Sequence, residues 1–438
     1  MSAKLHLTRN TKPTSVELPP EIWALVFDWA THVPGAYDPD CLPRSFTHPP
    51  SKAQDQDRKK SLRSRSSLVR VCKAWSGLAL KNLFEHIVIA SDPDTLSLCN
   101  TLLRSRDDAE SSRTDHHLGC YTKRLDISFQ TDNINKDITD LGDIIRCFPN
   151  LSFITISLDI FNPPQRRRYH ERDGAKLAGL AGPILDALSS TCTSLEVLEI
   201  PLKSLFYISN SDLHRVFSSF SKLRSFRNEG GMLDLLGPGT PLCFHLATSL
   251  TTVALDDRYD RIGDRTVPLS SNPDTFPSLQ TVIFYIDYIH VNKQFLSFIQ
   301  IHGSTLTTIM IQVSEVMILP SFFQELLDTI RTRCPRVVNF MIWFQVWNWM
   351  MVPVNLVFQM PPSIRVFGIR CKELQAESWL YEDFFARVIP WNGRVLRLLD
   401  ERHVTDLCQK HTQTFKRIQQ RLEPGGWQFQ GPDERVLL

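Results

Sequence analysis

Residues 279–284 read LQTVIF, residues 306–311 LTTIMI and residues 195–200 LEVLEI, each with an apolar side chain at the first, fourth and sixth of six positions. Outward from these copies the pattern recurs as LSFITI from Leu151, LTTVAL from Leu250, VVNFMI from Val337 and IRVFGI from Ile364. Two weaker copies complete the series: TKRLDI from Thr122 lacks the first apolar residue, and LRSFRN from Leu223 lacks the last. The starts at 122, 151, 195, 223, 250, 279, 306, 337 and 364 are 29, 44, 28, 27, 29, 27, 31 and 27 residues apart, so seven of eight intervals lie near 28. A fixed period of this size marks an array of small units, none of which can bury its apolar faces without stacking on its neighbours. The 44-residue exception holds the polar stretch NPPQRRRYHERDG (162–174), which reads as a surface loop in an otherwise ordinary unit.

Between the hexads lie stretches such as DITDLGDIIRCF, GPILDALSST, SDLHRVFSSF, QFLSFIQIH and SFFQELLDTIRTRC, whose apolar residues recur at steps of three and four, as on one face of a helix. The junctions CFPNL, CTSL, FSKL, FPSL, CPRV and PPSI place a turn residue just ahead of each first apolar position. Each unit is therefore expected to be one short strand and one helix. This pattern resembles a leucine-rich-repeat solenoid of the long, degenerate, helix-containing kind. The resemblance implies an α/β solenoid whose parallel strands line the concave side. In such strands the third, fifth and seventh positions point away from the core. They are Glu199, Glu229 and Asp256 in the middle units and Ile283, Tyr285, Met310, Met341 and Trp343 in the later ones. We expect this acidic-to-aromatic ridge to bind a protein segment with basic and hydrophobic parts, with Trp343, Trp347 and Trp349 either open or covered by the C-terminal segment.

The 438 residues carry 49 Lys+Arg against 47 Asp+Glu, a net charge of +2, which lacks the basic excess of a dedicated nucleic-acid binder. The ten cysteines include no C-x-x-C and no metal-type pairing with histidine, so they read as reduced structural thiols. His116 and His117 have no second ligand pair, and no cofactor or metal is expected. No nucleophile elbow, P-loop or H-E-x-x-H motif is present, and a non-catalytic protein is expected. The opening MSAKLHLTRNTKPTSVELPP has no apolar run of signal length, which points to the cytoplasm or nucleus. The charge-free stretch 337–364 is long enough to cross a bilayer, but it begins one hexad and ends at the next, so a greasy repeat is the better reading and no membrane contact is expected.

At the amino end, ELPPEIWALVFDWATHV (17–33) reads as a helix entered through Pro19 and Pro20 with Glu21 in its first turn. Ile22, Val26, Trp29, Ala30 and Val33 form one apolar stripe, while Trp23 and Phe27 lie on another side. One stripe can fill the helix's own core; the other wants a partner. A second helical stretch, SSLVRVCKAWSGLALKNLFEHIVI, carries Leu68, Val71, Cys72, Trp75, Ala79 and Leu83 at helical spacing.

LPPEIxxxVF at 18–27, LVRVCKAW at 68–75 and LFEHI at 83–87 together resemble an F-box. The likeness departs from the family in the long connection PGAYDPDCLPRSFTHPPSKAQDQDRKKSLRSRSS (34–66), an insert similar to those of fungal F-box proteins with degenerate repeats. The resemblance implies docking to a Skp-type adaptor and cullin scaffold in a ubiquitin ligase, with Leu18, Pro19, Ile22, Val26, Val71, Cys72 and Trp75 on the adaptor-facing or supporting surface. The other reading is that several of them fill the module's own core. The expected organisation is a disordered tail at 1–15, an F-box-like helical module at 16–90 with a disordered insert at 34–66, a linker or cap at 91–121, the solenoid at 122–371 and a C-terminal helical cap at 372–438. The expected role is a substrate receptor whose target remains open, the alternative being a leucine-rich scaffold with no role in ubiquitin transfer.

Overall fold

A computed structural model describes residues 18–38, 52–90, 92–112, 117–131, 134–160, 181–200, 210–228, 247–256, 273–286, 293–313, 320–344, 360–371, 379, 381–382, 385, 395–432 and 434–437. Its centre is one all-parallel sheet of twelve strands hydrogen-bonded in sequence order. They are β1 (His86–Ile89), β2 (Arg124–Thr131), β3 (Phe153–Ile160), β4 (Val197–Ile200), β5 (Ser225–Asn228), β6 (Thr252–Asp256), β7 (Thr281–Ile286), β8 (Thr308–Val313), β9 (Asn339–Phe344), β10 (Val366–Cys371), β11 (Val395–Leu398) and β12 (Gln428–Gln430). All nine hexads lead into strands, β2 to β10, and the register follows the hexad spacing: Phe153 faces Val197 (197 − 153 = 44), Thr281 faces Thr308 (27) and Thr308 faces Asn339 (31). The architecture is α/β and solenoid-like.

The reason is visible in one unit. In the hexad from Leu306, the first, fourth and sixth residues, Leu306, Ile309 and Ile311, are fully buried. The Leu306 amide donates to Gly303 O at 3.3 Å, closing a turn before the strand begins. The same bond from first residue to third-preceding carbonyl closes every hexad from Thr122 to Ile364, for example Leu195 to Cys192 (3.2 Å) and Val337 to Cys334 (3.2 Å). Next, the second residue's carbonyl accepts two amides from the following unit: Gln280 O takes Thr307 N (2.8 Å) and Thr308 N (3.0 Å), and Thr307 O takes Val338 N and Asn339 N. Backbone bonding therefore sets the stacking, and burial of roughly 1.5–3 kcal/mol per large apolar side chain stabilises it.

Helices accompany the strands, and those of the repeats share one core with them on one side of the sheet. In chain order they are α1 (Pro20–Thr31), α2 (Lys52–Val69), α3 (Lys73–Glu85), α4 (Asp92–Ser112), α5 (Ile134–Ile145), α6 (Ala181–Thr191), α7 (Asn210–Ser219), α8 (Lys293–His302), α9 (Pro320–Arg333), α10 (Glu401–Gln409) and α11 (Thr412–Leu422). Phe295, Leu296, Phe298 and Ile299 of α8 and Phe322, Phe323, Leu326, Leu327 and Ile330 of α9 join the strand residues in one continuous core. Eight described cysteines are free thiols, and burial pushes Cys192 and Cys334 up to about 12, so they act as small core residues.

Several expectations need correction. Residues 52–66 were expected to be a disordered insert, but they lie in α2. The stretch 66–89 is broken at Arg70–Cys72, and HIVI at its end is strand β1, because His86 to Ile89 pair with Arg124 to Ile127 rather than continuing the helix. Asp92–Ser112 form α4 and Leu118–Tyr121 a 3₁₀ turn, so of the two readings of 91–121 the capping unit fits and the linker does not. The C-terminal segment is not purely helical, since β11 and β12 extend the sheet past residue 371. There Tyr381 Oη donates to Asp406 (3.3 Å), and His403 Nε2 donates to the Cys371 carbonyl (2.7 Å), pinning α10 to the end of β10. The tail 1–15, the 162–174 loop, Trp347 and Trp349 lie outside the described residues. Within 337–364, residues 339–344 form β9, and no described helix is long and apolar enough to cross a membrane.

Ile309→Ala should destabilise the chain by about 2–5 kcal/mol. Arg365→Ala, at an exposed second position, should change stability by less than about 0.5 kcal/mol. Urea unfolding followed by circular dichroism compares the two.

Candidate functional site

Helix α1 settles which of its two stripes is the core. At 100° per residue, Trp23, Phe27 and Thr31 share one side, and Ile22, Leu25, Val26 and Trp29 share the opposite side. Phe27 and Thr31 are buried. Trp75 of α3 reaches across to this side, with its ring 4.7 Å from Trp23 and 4.9 Å from Phe27 between centroids. The other side is open: Trp29 is 84% and Leu25 64% exposed, and Leu18, Ile22 and Val26 are each about two-fifths exposed. Val71, also exposed, sits in the turn between α2 and α3, beside exposed Cys72, whose Sγ accepts the Trp75 amide at 3.5 Å.

Of the ten exposed large apolar side chains among the described residues, six (Leu18, Ile22, Leu25, Val26, Trp29 and Val71) belong to this module. Scattered exposed apolar residues are ordinary, but a cluster on one helix face marks an interaction surface. Thus Leu18, Pro19, Ile22, Val26, Val71 and Cys72 lie on the open side, and Trp75 lies beneath them in the aromatic core. Leu25 is the addition; its place at Ile22 + 3 and Trp29 − 4 would have found it.

Polar anchors hold the module rigid, and hydrophobic periodicity could not reveal them. Arg65 of α2 is buried and donates to Asn82 O (2.9 Å) and Thr31 O (3.3 Å). Ser61 Oγ donates to the same Thr31 carbonyl (2.6 Å), and Asn82 Nδ2 donates to Asp28 (2.6 Å). One arginine thus ties the C-terminal end of α1 to α3.

A second anchor joins the module to the sheet. Asp126 of β2 accepts from His86 Nε2 (2.7 Å) and Arg124 Nε (3.1 Å) and pairs with Arg58 of α2. Burial pushes the Asp126 carboxyl up, but the His86 hydrogen bond and the charges of Arg124, His86 and Arg58 prevail and hold it well below the usual carboxylate range. Burial lowers His86 in spite of Asp126, so at neutral pH the ring donates as a neutral imidazole.

On the sheet face turned from the helices, the predicted ridge residues share rows but not exposure. Glu199 accepts from Thr155 Oγ1 (3.1 Å) and pairs with Arg227 (3.7 Å). Glu229 and the side chain of Asp256 lie outside the described residues, although Asp256 faces Tyr285 in register. Ile283, Tyr285, Met310 and Met341 were expected to be open, yet they are buried, Met310 to 1% exposure, in a second apolar cluster with Ala254 and Leu399. Gly368 permits this closure: a Cβ there would stand 3.0 Å from Met341 and 3.1 Å from Leu399. Only Trp343 of this set stays half-exposed, under Arg370.

No group of three metal-ligating side chains is found among the described residues. No protein-family model matches the chain, and no curated protein matches it.

Because the folded Asp126 binds its proton more weakly than an unfolded aspartate, its contribution is present above the unfolded value and is lost as pH falls through the folded one. Asp126→Asn should cost about 1–3 kcal/mol at neutral pH, and the gap to wild type should narrow below about pH 4. Urea midpoints measured across pH check both. Arg65→Met should remove the side-chain donor from the Asn82 carbonyl, leave Ser61 alone on the Thr31 carbonyl, and raise amide exchange in α2 first, at a cost of about 1–3 kcal/mol.

Proposed function

We propose that the chain is the substrate-recognition subunit of a Skp–cullin–F-box ubiquitin ligase. Its N-terminal module docks on the Skp-type adaptor, and the solenoid holds a protein target. The observation that carries this reading is the open face of α1, where Ile22, Leu25, Val26 and Trp29 are exposed, with Leu18 just ahead of them, on a helix whose opposite side is already filled by Trp75. A helix that has packed its own core and still presents four apolar side chains to water is built for a second polypeptide, since burying each is worth roughly 1.5–3 kcal/mol. The LPPEI and VCKAW segments that resemble an F-box are the segments that carry this surface.

The chain supplies no reacting group in this role. Its contribution is proximity: a target held on the array meets the transferred ubiquitin at a raised effective concentration. The long connection between the two F-box-like halves supports the module, because α2 within it carries Arg65 and Ser61 into the Thr31 carbonyl.

Coexpressed tagged chain is expected to capture a Skp-type adaptor and cullin. Ile22→Glu with Val26→Glu should cut capture at least tenfold without lowering the melting temperature, because both side chains are exposed. Retained capture by that variant sinks the docking surface. Capture without ubiquitin transfer to any associated protein favours a leucine-rich scaffold.

A further inference from the structure

On the sheet face turned from the repeat helices, charged side chains are paired on both sides of one row. Arg227 pairs with Glu199 (3.7 Å), and Arg397 pairs with Glu434 (3.0 Å) and takes Gln430 Oε1 (2.8 Å). Between them runs the row Tyr285, Gln312, Trp343 and Arg370, in register across β7 to β10. Two of its polar groups are left over. Gln312 is 6% exposed, and its buried Oε1 accepts no hydrogen bond among the described residues. The Arg370 guanidinium carbon sits 4.0 Å from the centroid of the Trp343 ring, and the group makes no hydrogen bond or ion pair among the described residues. The carboxylate whose charge reaches it, Asp400, is already bound by Arg402 (2.9 Å).

A buried carbonyl without a donor costs about 1–3 kcal/mol, and a guanidinium carries five donors in a fork shaped for a carboxylate. The two groups stand two strands apart, roughly 10 Å at about 4.8 Å per strand, which is about three residues of extended chain. One ligand answers both. We propose that this row is the target-holding subsite and takes an extended acidic peptide. The Gln312 side chain turns outward so that its Oε1 takes a backbone N–H of the peptide, an Asp or Glu carboxylate about three residues away bonds Arg370, and an intervening side chain lies against Trp343. The proposal rests on the reading of the array as a target holder and is independent of adaptor docking. Burial lowers Arg370 to about 10, the direction expected of a guanidinium short of an anion.

The test pans the full chain against a phage-displayed library of random peptides. Recovered peptides are expected to concentrate Asp or Glu at one position, Arg370→Gln to abolish that preference and Arg370→Lys to keep part of it. A recovered peptide, synthesised with a fluorophore, should bind at least tenfold more weakly when its acidic residue becomes the amide, and the difference should vanish on Arg370→Gln. No acidic preference, or one unchanged in Arg370→Gln, overturns the proposal. A phosphoserine replacement that binds a hundredfold more tightly overturns the carboxylate in favour of phosphate. An unchanged urea midpoint shows that the Arg370→Gln variant is folded. A wild-type chain that selects acidic peptides but captures no adaptor sinks the docking reading alone.

Discussion

The carbonyl of each hexad's second residue accepts two amides of the next hexad, and that forked bond is the constraint on which the molecule depends. Gln280 O holds Thr307 and Thr308, and Thr307 O holds Val338 and Asn339. The backbone thereby dictates one register, and in that register the first, fourth and sixth side chains of all units fall on one side. A slip of a single residue would turn Ile309 and Ile311 outward and Met310 inward, so the apolar pattern and the backbone bonding reinforce each other. The unit with a 44-residue spacing keeps the same register, Phe153 on Val197, because the extra residues leave the strand and its turn untouched.

The amino end follows a different logic. Its three helices share a small aromatic core of Trp23, Phe27 and Trp75, and polar contacts order them further: Arg65 and Ser61 on the Thr31 carbonyl, Asn82 on Asp28, and Arg58 on Asp126. Such contacts are directional, so they position α1 with respect to the sheet while leaving its greasiest stripe outside. A module stabilised by a larger apolar core would have drawn Ile22 and Trp29 inward. The economy of this core and the open face are one fact seen twice.

The strand face away from the helices divides along the chain. Near β2 to β5 it carries ion pairs, Asp126 with Arg58 of α2 and Glu199 with Arg227, beside the apolar contact of Phe153, Val197 and Tyr37; from β6 to β10 it is largely apolar and closed over Gly368. At the seam, Trp343 and Arg370 remain half-exposed beside an amide oxygen with no donor among the described residues. Buried polar groups are nearly always satisfied, so an exception in a closed face directs attention to what completes it.

The period of apolar residues by itself determined strands β2 to β10, the helices expected between them, the order of those units and their register, because stacking leaves a repeated hexad only one way to bury Leu, Ile and Val together; β1, β11 and β12 carry no hexad. It also marked α1 as two-sided. Three things needed the tertiary structure. Lys52–Val69 carries no apolar stripe, and its helix is ordered by the buried contacts of Arg65 and Ser61, which join residues far apart in sequence. His86–Ile89 reads as the end of a helix until Arg124–Ile127 stands beside it to be paired. The exposure of Tyr285, Met310 and Met341 was misjudged because alternation says which face a side chain takes and nothing about whether that face is covered, and cover is a property of neighbouring strands and chain that only the folded molecule brings together.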